Sequence, residues 1–288
     1  MTSCTDKISL DQWYAIGAVQ EMTAGSVYDT VLLEKHLSFA ISASGIPQVW
    51  RRELGEDDTL PVQNLYGYVW TSLGEPLSQI FAIPEFFEPD RRNMNAATIG
   101  VNVSAPRAIE NFLDMGHFPY VHTDILGVEP HTEVKEYDVE ISEENDEILA
   151  TRCLFFQPMA AMASGGGAEV EYIYRVPHPF CSVLYKSSPL DVTRKDVIAV
   201  FLQPMDQEHI RAHMLLSVLD EDNNDRSLRL FQQTIFGQDK PILENQFPKR
   251  LPLDPRAETP IRADKSAITY RRWLSNKGVT YGVIPAAA

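Results

Sequence analysis

Short apolar runs separated by polar and Gly/Pro punctuation recur along most of the chain, and this is the pattern of strands. Gln12-Trp13-Tyr14-Ala15-Ile16-Gly17 and the runs at 28–33 and 36–41 predict strands near the start. Gly55-Glu56-Asp57-Asp58 predicts an exposed turn between two strands, and 66–73 a further strand closed by Gly74-Glu75-Pro76. A domain boundary is expected there, with a small, mostly β module over 1–78 and a larger domain over 79–288. In the larger part, Thr98-Ile99-Gly100-Val101-Asn102-Val103 alternates as a strand. Runs at 133–141, 149–156, 168–176, 181–185, 197–202 and 210–218 are spaced as in one large antiparallel sheet. Ser164-Gly165-Gly166-Gly167 is expected to be a mobile loop.

Helical signals are fewer. Pro106 suits the first turn of a helix, which is expected to run to Pro119 and carry Asn111, Asp114 and His117 on one face at i, i+3 spacing. A second helix is expected from Asp225, with a stripe of Leu228, Phe231, Ile235, Asp239, Ile242 and Gln246 that tolerates Gly237 and Pro241. Pro252 to Pro260 reads as a linker, 263–276 as a terminal helix with Arg271-Arg272 on one side, and the tail from Ile284 as frayed. There is no internal repeat.

Composition narrows the class. The chain of 288 residues is 44% hydrophobic and 23% charged, ordinary for a globular protein with a sizeable core. No apolar run approaches the roughly 20 residues needed to cross a membrane, and the start lacks a secretory pattern, so a cytoplasmic location is expected. A net charge of −15 argues against nucleic acid or anionic lipid as a partner. Cys4, Cys153 and Cys181 are odd in number and far apart, which speaks against a disulfide framework. None lies in a C-x-x-C or C-x-H arrangement.

The chemistry concentrates in Glu110-Asn111-Phe112-Leu113-Asp114-Met115-Gly116-His117-Phe118-Pro119-Tyr120-Val121-His122. If Pro119 ends or kinks the helix, His122 can return toward His117 from the following turn. Two histidines with one carboxylate from elsewhere make the ligand set of a non-haem Fe(II) site with open positions. Spacing alone also allows two surface histidines flanking a helix end. Asp239 lies on the inward part of its helix, where an ionised carboxylate is costly unless paired or bound to a cation; a surface pair with Lys240 or Arg250 is the other reading.

Asn111, Asp114, His117 and His122 together with Gln238-Asp239-Lys240-Pro241-Ile242-Leu243-Glu244 resemble the α-type subunits of Rieske non-haem iron oxygenases. Gln12-Trp13-Tyr14, Gly67-Tyr68-Val69-Trp70 with Gly74-Glu75-Pro76, and Tyr270-Arg271-Arg272-Trp273 agree, and the match is best to the aromatic O- and N-demethylase branch. The resemblance covers most of the chain. It implies an α+β fold in which a Rieske-like β module precedes a helix-grip (START/Bet v1-like) catalytic domain, a curved antiparallel sheet around long helices. It also implies that His117, His122 and Asp239 bind mononuclear Fe(II). Asp114 would then orient an iron-bound histidine and receive electrons, and Asn111 would stand behind the ligands.

One departure outweighs the matches. The family carries a [2Fe–2S] cluster on C-x-H and C-x2-H loops, which belong between the strands at 36–41 and 66–70. That interval has no Cys and no His from Ser42 to Asp58. The chain therefore resembles the cluster-less oxygenase component of bacterial methylxanthine N-demethylation, whose electrons come from NADH through a partner reductase carrying a Rieske centre. The resemblance implies oxidation by O2 of an N-methyl group, on a 7-methylxanthine-type purine, with release of formaldehyde. O-demethylation or hydroxylation of another aromatic substrate, and a non-catalytic subunit of an oxygenase complex, are the alternatives. A homo- or hetero-oligomer is expected. The substrate pocket should draw on Phe155, Phe156, Tyr172, Tyr174 and Phe231, but a one-residue change of strand phase would exchange which of them face inward.

Overall fold

A computed structural model describes residues 4–76, 78–159, 166–187 and 193–286. After a short helix α1 (Lys7–Leu10) come β1 (Tyr14–Ala18), β2 (Val27–Leu32), β3 (Lys35–Ile41), β4 (Pro47–Arg51), β5 (Val62–Leu65) and β6 (Tyr68–Thr71). They form two three-stranded sheets, ordered β1-β6-β5 and β2-β3-β4. The turn at Gly55, which has φ +79°, falls between β4 and β5 as the Gly55–Asp58 signal anticipates.

The rest is built on seven antiparallel strands. They are β7 (Arg92–Val101), β8 (Asp138–Ser142), β9 (Glu147–Gln157), β10 (Ala168–His178), β11 (Cys181–Ser187), β12 (Lys195–Pro204) and β13 (Ile210–Val218), in the order β7-β13-β12-β11-β10-β9-β8. The expected α+β class with one large antiparallel sheet is what the chain adopts. The expected strand at 133–141 shrinks to Asp138–Ser142, whereas the one at 98–103 starts earlier, at Arg92. Of the Ser164–Gly167 run, Ser164 and Gly165 lie outside the described residues.

β12 explains the layering. It is buried on both faces, so its side chains divide between two cores. Val197, Ala199 and Phe201 pack with Tyr68 and Trp70 of β6, the Trp70 and Phe201 rings 4.8 Å apart. Burial of each such ring is worth about 2–3 kcal/mol. Val200 and Leu202 join the opposite core with the helices.

Those helices are α2 (Ala105–Leu113), α3 (Phe118–Val121), α4 (Asp225–Asn245) and α5 (Lys265–Lys277). α4 runs against β7, and α2 packs on α4 and α5. Two expectations change here. The stripe on α4 swings, so that Leu243 is buried while Ile242 is 49% exposed. The tail is not frayed at Ile284: β15 (Val283–Ile284) pairs in parallel with β14 (Leu251–Pro252), and Leu253 N donates to Ile284 O. Within the expected linker, Pro255–Ala257 makes a 3-10 turn. No helix among the described residues is long and apolar enough to cross a membrane.

Candidate metal centre

The expected continuous helix through His117 does not form. α2 begins with Ser104 capping Arg107 N and Pro106 in its first turn, then stops at Leu113. Asp114 is extended (φ −81°, ψ 121°), and its Oδ1 accepts from Gly116 N at 2.7 Å. An Asp side chain that takes a backbone N–H two residues on offers a turn in place of the next helical bond. Pro119 therefore opens the short α3 instead of ending α2. Asn111, Asp114 and His117 remain close, held by a helix end and a turn rather than by helical periodicity.

The turn aims both imidazoles at one point. His117 Nε2 and His122 Nε2 are 3.2 Å apart, and Asp239 Oδ1, from the middle of α4, lies 3.3 Å from the first and 3.1 Å from the second. Asn111 Nδ2 donates to Asp239 Oδ1 at 3.2 Å. Lys240 and Arg250, the alternative surface partners of Asp239, pair instead with Glu244 and Glu208.

The outer ring nitrogens decide what the inner ones can do. His117 Nδ1 is 2.9 Å from Asp114 Oδ2, and His122 Nδ1 is 2.8 Å from Gln238 Oε1. Both partners are acceptors, so both Nδ1 atoms carry the proton and both Nε2 atoms of the neutral rings present lone pairs. Two lone pairs and a carboxylate oxygen thus converge at one largely buried point. That arrangement requires a cation. Three donors on one face of an octahedron with ~2.1 Å bonds stand ~3 Å apart, and these distances fit. Without a metal, a proton can serve: burial disfavours the His117 imidazolium, but Asp114 and Asp239 outweigh it and push its pKa up to about 9. Burial alone would raise Asp239; the two histidines hold it down at about 2.

The cluster stands between two spaces. Outward, Asn111, Asp114 and His117 line an open groove with Glu110, Glu258 and Asp264. Inward, His117, His122 and Asp239 line a cavity walled by aromatic and aliphatic side chains of β10–β13 and α4. Of the five expected pocket aromatics, Tyr172, Tyr174 and Phe231 line this cavity. Phe155 instead packs behind Tyr172, with ring centroids 4.6 Å apart, and Phe156 lies on the other face of β9 against His131.

Two groups of residues escape sequence reasoning. Gln238 stands inside a quoted motif, yet its role as the partner of His122 appears only in three dimensions. Behind the centre, Glu110 accepts from Arg271 Nε at 2.6 Å and from Arg107 Nη1 at 3.0 Å, and Glu258 bridges the same two arginines. Arg107 is fully buried. These partners lie up to 161 positions apart, so no local signal marks them.

Residues 101–278 match the family model described as vanillate O-demethylase oxygenase C-terminal domain. The probable methylxanthine N7-demethylase NdmC of Pseudomonas sp. (strain TJI-51) is 47% identical over 95% of this chain and 96% of its own. The methylxanthine N1-demethylase NdmA of Pseudomonas putida is 26% identical over 75% of this chain and 60% of its own. The solved structure of NdmA from Pseudomonas putida CBB5 shares the fold, with a TM-score of 0.74 at 19% identity over 93% of this chain and 90% of that one. The chain thus belongs to the Rieske non-haem iron oxygenases, in the group that shares the vanillate O-demethylase oxygenase C-terminal domain.

Proposed function

We propose that this chain is the iron-bearing oxygenase component of a methylxanthine N-demethylase, acting on the N7-methyl group and drawing its electrons from a separate Rieske protein. The observation that carries the reading is the convergence of His117 Nε2, His122 Nε2 and Asp239 Oδ1 at 3.1–3.3 Å beside an apolar cavity. The 47% identical relative named for N7-demethylation supports the methyl position.

Iron held by His117, His122 and Asp239 supplies the activation of O2 needed to oxidise a methyl C–H bond. Asp114 accepts a hydrogen bond from the Nδ1–H of His117 and fixes that ring, and Asn111 donates to the Asp239 carboxylate and fixes it. The cavity keeps the methyl group dry and close. Overall, the N-methyl compound, O2, NADH and H+ give the N–H compound, formaldehyde, water and NAD+; the hydroxymethyl product collapses once its O–H proton leaves and nitrogen regains one.

The interval from Ser42 to Asp58 has no Cys or His, and Cys4, Cys153 and Cys181 are buried and unpaired. Residues 1–78 are on this reading a vestigial Rieske-like domain, with 79–288 the catalytic domain. The [2Fe–2S] cluster resides in a partner reductase that docks near Asp114, whose side chain is 34% exposed, within a cytoplasmic hetero-oligomer. Iron-loaded chain with NADH and 7-methylxanthine should release no formaldehyde, and adding the Rieske reductase should start release. Full turnover without any cluster protein would refute the electron route, and none with the reductase would refute the function.

A further inference from the structure

The cavity contains a charge that the iron site does not use. Lys186 is the one Lys or Arg among the described residues lining it, and it is only 7% exposed. Its position follows from strand register: Lys186 pairs with Tyr172 across β10 and β11, so both side chains stand on the cavity face, two residues along from the Tyr174–Leu184 pair. Its Nζ is 5.9 Å from the centroid of the Tyr172 ring.

Among the described residues its charge is only partly offset. Among the described residues no carboxylate forms an ion pair with Lys186. Asp196 is its cross-strand neighbour on β12, yet that carboxylate is engaged in accepting from Leu219 N at 2.9 Å. Burial lowers the Lys186 pKa to about 8, which Asp196 only partly offsets. Beside it, the Tyr172 hydroxyl accepts from Gln157 Nε2 at 2.8 Å, so its own proton is free to be donated. A buried ammonium without a counter-ion is unfavourable, and a methionine of similar size would pack there at lower cost. A polar group placed in an otherwise apolar ligand cavity fixes the orientation of the ligand.

We propose that Lys186 orients the substrate: its ammonium donates to an acceptor oxygen on a planar heteroaromatic ring, and this decides which edge of the ring, and so which methyl group, faces His117, His122 and Asp239. The class of ligand is a ring carrying carbonyl oxygen, or the enolate of one, as in a purine dione. The inference rests on the N-demethylase reading but can fail separately from it.

The test is equilibrium binding to the iron-loaded chain without O2, by calorimetry, for 7-methylxanthine, for 7-methylpurine (which lacks the carbonyls) and for 4-methoxybenzoate. Losing a charge-assisted hydrogen bond should weaken 7-methylxanthine about tenfold or more in Lys186→Met and leave 7-methylpurine within about twofold. Lys186→Gln, which keeps a neutral donor, should fall between. Iron content should be unchanged and the melting temperature no lower, because the change removes a buried charge that Asp196 offsets only in part. Equal binding of 7-methylxanthine by Lys186→Met and the parent overturns the inference and leaves the function standing; so does loss of iron or folding in that variant. A parent that ignores methylxanthines but binds 4-methoxybenzoate through Lys186 overturns the methylxanthine reading and the heteroaromatic ligand class with it, while the orienting role of Lys186 stands. Binding of none of the three overturns both.

Discussion

At the scale of single residues, the site is organised by who holds which proton. Asp114 and Gln238 each take an Nδ1–H, which turns two Nε2 lone pairs toward Asp239. His117→Ala removes one of three ligand atoms, so iron per chain should fall from near one to below about a tenth; retained iron, by metal analysis, would show that His117 is not a ligand. Asp114→Asn keeps an oxygen acceptor for the ring but loses the charge. Iron should stay, while turnover with the reductase should drop by about 10–100-fold. A fall in iron matching the fall in turnover would mean that Asp114 acts only by holding the metal site together.

Among the elements, the break between α2 and α3 brings His122 back. It depends on Gly127, which forms a bridge with Thr123 and passes close beneath α3. A Cβ on Gly127 would sit 2.7 Å from Pro119 N and 2.8 Å from Pro119 Cα. These obstacles are backbone atoms and cannot swing aside as a side chain could. Gly127→Ala should therefore displace α3, costing about 1–3 kcal/mol in denaturant unfolding, and weaken iron binding with it. Unchanged stability would mean that the loop is loose enough to move. The helix break itself is legible only in hindsight. Asn111, Asp114 and His117 satisfy helical spacing, and nothing local announces that Asp114 prefers Gly116 N to the next turn.

Across the whole molecule, an ionic cluster of two buried arginines with Glu110 and the partly exposed Glu258 fastens α2 to α5 and to the segment around Glu258, behind the candidate metal centre. Burial by itself would raise the Glu258 pKa, but Arg107 and Arg271 hold it at about 2, against an ordinary value of 4.5. A depressed carboxylate stabilises the fold fully above its ordinary pKa, and the contribution is lost as pH falls toward the folded value. The parent should be more stable than Glu258→Gln at neutral pH, and the gap in unfolding midpoints should close between about pH 5 and 2. A gap independent of pH would show that Glu258 contributes by packing alone.

Much of this protein is legible one segment at a time, because period and punctuation are local. The succession of strands, the large sheet, the cap and proline that open α2, and the absence of Cys and His between Ser42 and Asp58 can all be read from neighbours in the chain. So can the candidates Asn111, Asp114, His117, His122 and Asp239, through their resemblance to a family. Only the tertiary structure decided phase and partnership. One residue of strand phase puts Tyr172 in the cavity and Phe156 outside it, and a small swing of α4 buries Leu243 and exposes Ile242. The pairing of Arg271 with Glu110, of Gln238 with His122 and of the tail with β14 joins residues far apart in sequence. Such contacts depend on how whole elements pack, which no local pattern encodes; the sequence names His117, His122 and Asp239, and only the packing of α4 on α2 brings their ligand atoms within 3.1–3.3 Å of one another.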